Sequence, residues 1–323
     1  MSFIDRTPAL AALNYLKGQA LSRLRLRGHH SGSTALAMRL DEAVAYVRSV
    51  VDDYVTYGAL GDGERLRGKD VLEVGPGDNL GVALCLLARG ANSVTCVDGF
   101  APAHDSGHNA KLYAAIYNSL TEEEKGRVRD VVTLHPDGTA TLGGDRLISR
   151  YHFPVDAQIS PLESNRYDIV VSRAVLEHLL DLDAGWRTMV RSLRPAGEMW
   201  HKVDFRCHNF FGQIHPLYFL TVPDTLWNLI SRPDPTLNRL RLPSYRELAA
   251  KDFQNVRIMF SHVMGEGEIQ PHVEELEPER HHSRRHLESV ESIRPRLQPP
   301  FRAYSAQDLL VTGIFLTVSG RRS

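Results

Sequence analysis

Cysteine is scarce: Cys85, Cys96 and Cys207 are the 3 in 323 residues. The number is odd, no pair has a CxxC spacing, and Cys85 and Cys96 fall in apolar runs, where a free cysteine acts as a small hydrophobe. A reducing compartment is expected, and a chain of this length buries a sizeable core without disulfides or metals. Long apolar runs are also lacking. None approaches the roughly 18 residues needed to span a bilayer. The N-terminus carries charges inside its apolar pattern and has no small-residue cleavage site, so no signal peptide is read and a cytoplasmic location is expected. Net charge is nearly absent, at −1 from 38 basic and 39 acidic residues. No overall field therefore points to nucleic acid or to an anionic membrane. What remains is ordinary globular composition, 42% hydrophobic and 24% charged, without an internal repeat.

Two amphipathic patterns lead. Leu10, Leu13, Leu16, Ala20 and Leu24 mark a helix over residues 8–27 with a basic end at Lys17, Arg23, Arg25 and Arg27. Such an end could meet a membrane surface or an anionic acceptor, but it is commonly just solvated. After a Gly-His-Ser break, Leu40, Val44, Val47, Val51 and Tyr54 mark a second helix that stops at Gly61-Asp62-Gly63. The pattern then changes. Asp70 to Val74 is a short apolar run that ends at Gly75-Pro76-Gly77; a helix follows from about Leu80 to Gly90, and Ser93 to Val97 is β-rich. Strand, glycine turn, helix and strand make one βαβ unit with a parallel pair. Further strands are expected at Ile148–His152, Tyr167–Val171, Glu198–Val203, Val256–Phe260 and Val311–Val318, with a small hairpin around Pro136-Asp137-Gly138. Thr121 with Glu124 and Ser244 with Glu247 fit capping boxes.

The glycine turn is the most informative stretch. A turn without Cβ atoms lets a ligand approach the backbone, and the next helix N-terminus offers amides and a positive dipole end. In dinucleotide enzymes that place takes a pyrophosphate. Here Glu73 precedes the turn and Asp78 lies in it, and two carboxylates repel a phosphate while suiting a cationic ligand. The glycines Gly75, Gly77 and Gly81 are spaced G-x-G-x-x-x-G rather than G-x-G-x-x-G. Asp98 closes the second strand, where a carboxylate can accept ribose hydroxyls.

These residues resemble the class I S-adenosylmethionine methyltransferases, whose motif of an acidic residue, x, Gly, x, Gly and a later strand-closing acid maps onto Glu73, Gly75, Gly77 and Asp98. The resemblance continues through Tyr167 to His178, like the family's fourth strand and following loop, and through Leu-Arg-Pro-Ala-Gly at 193–197. It covers about residues 68 to 205. It implies an α/β fold with a doubly wound, mostly parallel seven-stranded sheet, Rossmann-like, whose final strand is antiparallel. It also implies S-adenosylmethionine as cofactor, held by Glu73, Gly75, Pro76, Gly77, Asp78, Asn79, Asp98 and Gly99, with Ser172 and Arg173 beside it and Asp156-Ala157 near the adenine. The chain also resembles bacterial methyltransferase-domain proteins, which supplies no acceptor. The expected organisation is a helical cap at 1–67, the S-adenosylmethionine-binding core at 68–205, an acceptor-side lid at 206–253, and the last strands at 254–323 with a charged loop at about 265–300.

In an open α/β sheet, ligands bind beyond the carboxyl ends of the strands. Arg173, Glu177 and His178 follow the fourth strand, and His201, Asp204 and His208 lie at the fifth. Methyl transfer chiefly needs alignment of acceptor and methyl, but a hydroxyl acceptor gains from a base, and histidine titrates near neutrality. His201 or His208 is the expected base, oriented by Asp204, with His178 next. The same trio could be structural, or a metal site, though its spacing fits no zinc motif and no metal is expected. Aromatics Phe210, Phe211, Tyr218, Phe219 and Trp227 among prolines read as the lid or as a satellite core. The run Arg280 to His286 is interleaved with glutamates, which weakens a nucleic-acid reading. The expected function is methylation of a small-molecule or glycan-like hydroxyl. The alternatives are an NAD(P)-dependent oxidoreductase, a non-catalytic binding protein on the same fold, and an RNA methyltransferase.

Overall fold

A computed structural model describes residues 35–100, 106–207, 215–231 and 237–322. The helix expected over residues 8–27, His208, and the pair Phe210 and Phe211 lie outside the described residues. The described residues form ten strands: β1 Asp70–Val74, β2 Ser93–Val97, β3 Val132–Leu134, β4 Ala140–Leu142, β5 Leu147–Arg150, β6 Tyr167–Arg173, β7 Leu193–Asp204, β8 Phe253–Val263, β9 Glu268–Val273 and β10 Val311–Arg321. Eight of them hydrogen-bond in the order β5-β2-β1-β6-β7-β10-β8-β9, and β3 with β4 makes a separate two-stranded sheet. The pairs β1–β2, β1–β6 and β2–β5 are parallel, and β8–β9 is antiparallel. The hairpin is an insertion outside the main sheet, as its Asp-Gly turn implied.

The sheet has eight strands, not seven. The additional strand is β9, which arises inside the stretch read as a charged loop. Its pattern is mostly exposed, so it carries no apolar run by which to recognise it. A helix, Arg284–Ile293, also forms in that stretch.

The chain divides into two compact units, with β7 and β10 each contributing to both. One holds the described residues within 29–175, 183–201 and 317–323. Its strands β1 and β2 are buried at every position, as parallel strands covered on both faces must be. Here α1, Leu40–Asp53, buries Ala43, Val47, Val50 and Val51. Leu40 itself is exposed, so the buried stripe is rotated slightly from the one expected. The helix α2, Gly81–Ala88, is buried along its whole length. Two more follow, α3 Ser106–Asn118 and α4 Glu122–Arg127. Thr121 and Glu124 form the capping box at the start of α4.

At the start of β1, Asp70 accepts from Arg166 and Arg194 at 2.7 Å each, from Asn92 at 2.7 Å and from Ser93 at 2.6 Å. Burial opposes its charge, but these hydrogen bonds outweigh burial and hold the carboxyl well below the ordinary range.

The other unit holds the described residues within 176–182 and 202–316. Its core joins Leu217, Phe219, Leu220 and Trp227 to Val290, Ile293, Leu297, Leu309 and Leu310. Tyr218, Phe219 and Trp227, expected in a lid, are packed in this core. Arg239 pairs with Asp224 and lies 4.8 Å from the Trp227 ring centre. The helix Leu242–Asp252 starts after Arg241, with proline in its first turn. Ser244 is therefore inside the first turn and caps nothing, because Pro243 favours an earlier start. Arg241 is fully buried, and its guanidinium donates to the carbonyls of Phe205, Leu309 and Val311 at 3.1, 2.9 and 2.6 Å.

Candidate methyl-donor site

The turn after β1 has the backbone its sequence demands. Gly75 and Gly77 both adopt φ of 73°, in the left-handed region where glycine is free of strain. A Cβ on Gly75 would stand 2.3 Å from Cγ2 of Val175. The Gly75 amide donates to Val97 O at 2.8 Å, which ties the turn to the end of β2. Pro76 between the glycines is half-buried.

Several amide groups of this turn donate within the protein. Leu80 N donates to the Tyr113 hydroxyl at 3.0 Å, and Gly81 N donates to Asn79 Oδ1 at 2.8 Å. Asp78 is buried. Its Oδ2 accepts from Leu36 N at 3.0 Å and its Oδ1 from Asn79 Nδ2 at 2.9 Å. Asp78 therefore braces the turn, and Asn79 takes the first amide of α2.

Glu73 and Asp98 are different. Glu73 is 4% exposed, and the Cys96 thiol donates to its Oε2 at 3.4 Å. Burial pushes its carboxyl up to about 7; the Cys96 hydrogen bond opposes this and the charge of Asp98 adds to it. Asp98 Oδ1 accepts from Phe100 N at 2.9 Å. Burial raises Asp98 too, against hydrogen bonds from the amides of Phe100 and Gly77. Gly99 follows with open space where a Cβ would stand. The segment carrying Asp156 and Ala157 is brought to the end of β2 by Phe153 N, which donates to Asp98 O at 2.8 Å.

Ser172, at the end of β6 and opposite Val74 in register, is fully buried and shares a 2.8 Å hydrogen bond with His201 Nδ1. Arg173 donates to Asp53 Oδ2 at 2.6 Å and stacks 5.4 Å from the Tyr46 ring centre. These two side chains are thus engaged by the protein itself.

The expected catalytic rim is not assembled as the sequence suggested. His201 has no exposed surface and packs 5.9 Å from the Trp186 ring centre. Burial pushes it down to about 3, so it is neutral at physiological pH and a weak base. Asp204 does not orient it, because the Asp204 carboxylate is bound by Arg206 at 2.6 Å. Side chains three apart on a strand point to opposite faces, and that alternation separates the pair. His178 is half-buried in the short turn Leu176–His178.

Two buried polar residues carry no role in the sequence reading: Glu177 is placed after the fourth strand without one, and Asn109 is not singled out. Glu177 is 2% exposed and accepts from Asp204 N at 3.2 Å through Oε1. Its neighbour His178 drew attention instead. Asn109, on α3, is 7% exposed and donates to Asp78 O at 2.7 Å. Nothing local in the sequence marks it.

A family profile described as a methyltransferase domain matches residues 45–250. The chain belongs to the methyltransferase-domain family. No curated protein matches it in sequence. Among solved structures, this methyltransferase-domain protein is similar to phosphoethanolamine N-methyltransferase 2 of Haemonchus contortus in complex with S-adenosyl-L-methionine, at 16% identity and a TM-score of 0.41, covering 82% of this chain and 52% of that one. It spans only about half the length of that enzyme. A sarcosine dimethylglycine methyltransferase assigned in Galdieria sulphuraria matches at 16% identity and a TM-score of 0.41, covering 84% and 85%. An S-adenosylmethionine-dependent methyltransferase of Mesorhizobium loti matches at 14% identity and a TM-score of 0.39, covering 84% and 100%.

Proposed function

We propose that this methyltransferase-domain protein binds S-adenosylmethionine at the Gly75–Gly77 turn and methylates a hydroxyl on a small-molecule or glycan-like acceptor. One observation carries the methyl-donor part. The amides of Gly75, Gly77, Leu80 and Gly81 already donate to Val97, Asp98, Tyr113 and Asn79, while the carboxylates of Glu73 and Asp98 keep accepting capacity. A pyrophosphate needs donors. A ribose, an exocyclic amine and an ammonium need acceptors. That polarity favours an S-adenosyl nucleoside over a nicotinamide dinucleotide and disfavours the oxidoreductase reading.

Asp98 accepts ribose hydroxyls in this reading, Glu73 supplies negative charge toward the cationic end, and the Asp156-Ala157 segment borders the base. Bound S-adenosylmethionine supplies a methyl activated by a sulfonium. The protein's remaining tasks are to align the acceptor oxygen with that methyl and to take the acceptor's proton. His178 and His208 are the histidines proposed for the proton. His201 is assigned to packing, because its ring is sealed and uncharged. No metal is invoked. Among the described residues, no helix is long and apolar enough to cross a membrane.

Thermal shift with S-adenosylhomocysteine and, separately, NADH tests the reading on the parent chain and Asp98→Ala. A ligand at about 100 times its Kd adds roughly 2.7 kcal/mol to stability. Stabilisation by S-adenosylhomocysteine alone, lost in Asp98→Ala, is expected. Stabilisation by NADH alone would make the chain an oxidoreductase. Neither ligand binding would leave a binding protein on a shared fold.

A further inference from the structure

A cleft of about 390 Å³ opens between β9, with the turn before it, and the turn at residues 279–283. All of its walls belong to the unit of residues 176–182 and 202–316. Its size is that of a small-molecule site. Ile269, Pro271 and Val273, alternate residues of β9, supply an apolar wall, and Glu266, Glu268 and Glu279 supply carboxylates.

The side chain that points to a ligand is His281. It is only 8% exposed, yet it lines the cleft. Its Nδ1 accepts from Glu277 N at 2.9 Å, so the ring proton sits on Nε2. Among the described residues that Nε2–H meets no acceptor. A donor set this deep is costly to leave without one. The turn that carries it is held in shape, because Glu279 N donates to His282 O at 2.7 Å and His281 N to Glu277 O at 3.0 Å. A ligand would meet a wall already in place, with little ordering still to be done.

Charge narrows the ligand's chemistry. Lys202 pairs with Glu268, and His286 Nε2 lies 3.3 Å from Glu266 Oε1. The Glu279 carboxylate has no partner among the described residues. The carboxylates repel a phosphate or another acid. His281 turns an N–H to the cleft rather than a lone pair, so it is no metal ligand. A ligand with several hydroxyls and one ammonium meets every group: hydroxyls both accept and donate, and the ammonium answers Glu279.

We propose that this cleft binds an amino sugar. A ring hydroxyl accepts from His281 Nε2, others donate to Glu266 and Glu268, the ammonium pairs with Glu279, and the ring carbons lie against Ile269 and Val273. The assignment does not rest on S-adenosylmethionine binding.

Saturation-transfer NMR titration of the full chain with glucosamine, N-acetylglucosamine and glucose tests it. Glucosamine is expected to bind about threefold tighter than the other two, the worth of one exposed ion pair. Glu279→Gln, a change at an exposed position, should abolish that preference and leave glucose binding intact. His281→Phe should weaken all three sugars about tenfold. Absence of transfer to every sugar overturns the proposal. So does glucosamine binding that neither variant alters, which would put the sugar elsewhere on the chain. Methylamine displacing glucosamine where glucose does not would mean a simple cation site, and overturns it too. Should His281→Phe fail to fold, Glu279→Gln decides alone: a preference for glucosamine that survives it overturns the proposal.

Discussion

Ser172 and His201 share a 2.8 Å hydrogen bond between neighbouring strands, and neither has any exposed surface. A neutral imidazole in such a place locks β6 to β7. His201→Leu should lower unfolding free energy by about 1–3 kcal/mol, since the Ser172 hydroxyl loses its buried partner. The pH dependence also follows. Burial lowers His201 from 6.5 to about 3 in the folded state. Its contribution is therefore full above about pH 6.5 and is lost as pH falls toward 3. Denaturant titrations across that range should be flatter for the variant, and the pH profile of activity should keep its midpoint.

Glu73 titrates in the opposite sense. Its carboxyl rises from 4.5 to about 7 on folding, so the folded state holds a proton that the unfolded chain has released. Its stability contribution is present below about pH 4.5 and is lost as pH rises through about 7. Glu73→Gln should remove that decline and be the more stable chain at pH 8. A cationic ligand favours the ionised carboxylate. S-adenosylmethionine should therefore bind the parent more tightly at pH 8 than at pH 6 and release protons, whereas Glu73→Gln should show neither effect in calorimetry run in two buffers.

Gly75 tests the turn by shape. Gly75→Ala meets both a left-handed backbone and a methyl of Val175 at 2.3 Å. The left-handed conformation alone costs about 1–2 kcal/mol, and the clash adds to it. Chemical unfolding should register about 2–3 kcal/mol. Adding Val175→Ala should return part of that, because it removes the clash and leaves the backbone strain.

Asp70 lies at the far end of β1 and should affect stability without touching the methyl donor. Asp70→Asn leaves Arg166 and Arg194 without their shared carboxylate. Both arginines are partly solvated, so the loss is set at about 2 kcal/mol rather than the larger figure for a sealed pair. A fall in Tm of several degrees with unchanged S-adenosylhomocysteine affinity is expected.

Much of this was legible in the linear sequence, for identifiable reasons. Strands β1, β2 and β6 are covered on both faces and so read as apolar runs, and a glycine turn with acids at Glu73 and Asp98 is a local signature. The histidine rim was misread because it was assembled by closeness in sequence. The two-residue period of β7 sends His201 and Asp204 apart, and Arg206 then takes the carboxylate. Asn109 and Tyr113 were invisible because a helix residue acquires its partner only when the helix packs, here against residues 78–80. Strand β9 hid because an edge strand with one half-buried face needs few apolar residues.

That polar strand has a consequence for how the molecule coexists with its own copies. Among the described residues β9 ends the hydrogen-bonded order of the sheet, next to β8. A bare strand edge is a template on which another chain can add by backbone pairing, the route into aggregates. Pro271 has no amide to offer a pairing chain, and Glu268 brings charge to the strand's first position. Few side chains along it are apolar enough to reward a newcomer. The composition that disguised β9 as a loop is the composition that keeps such an edge from polymerising.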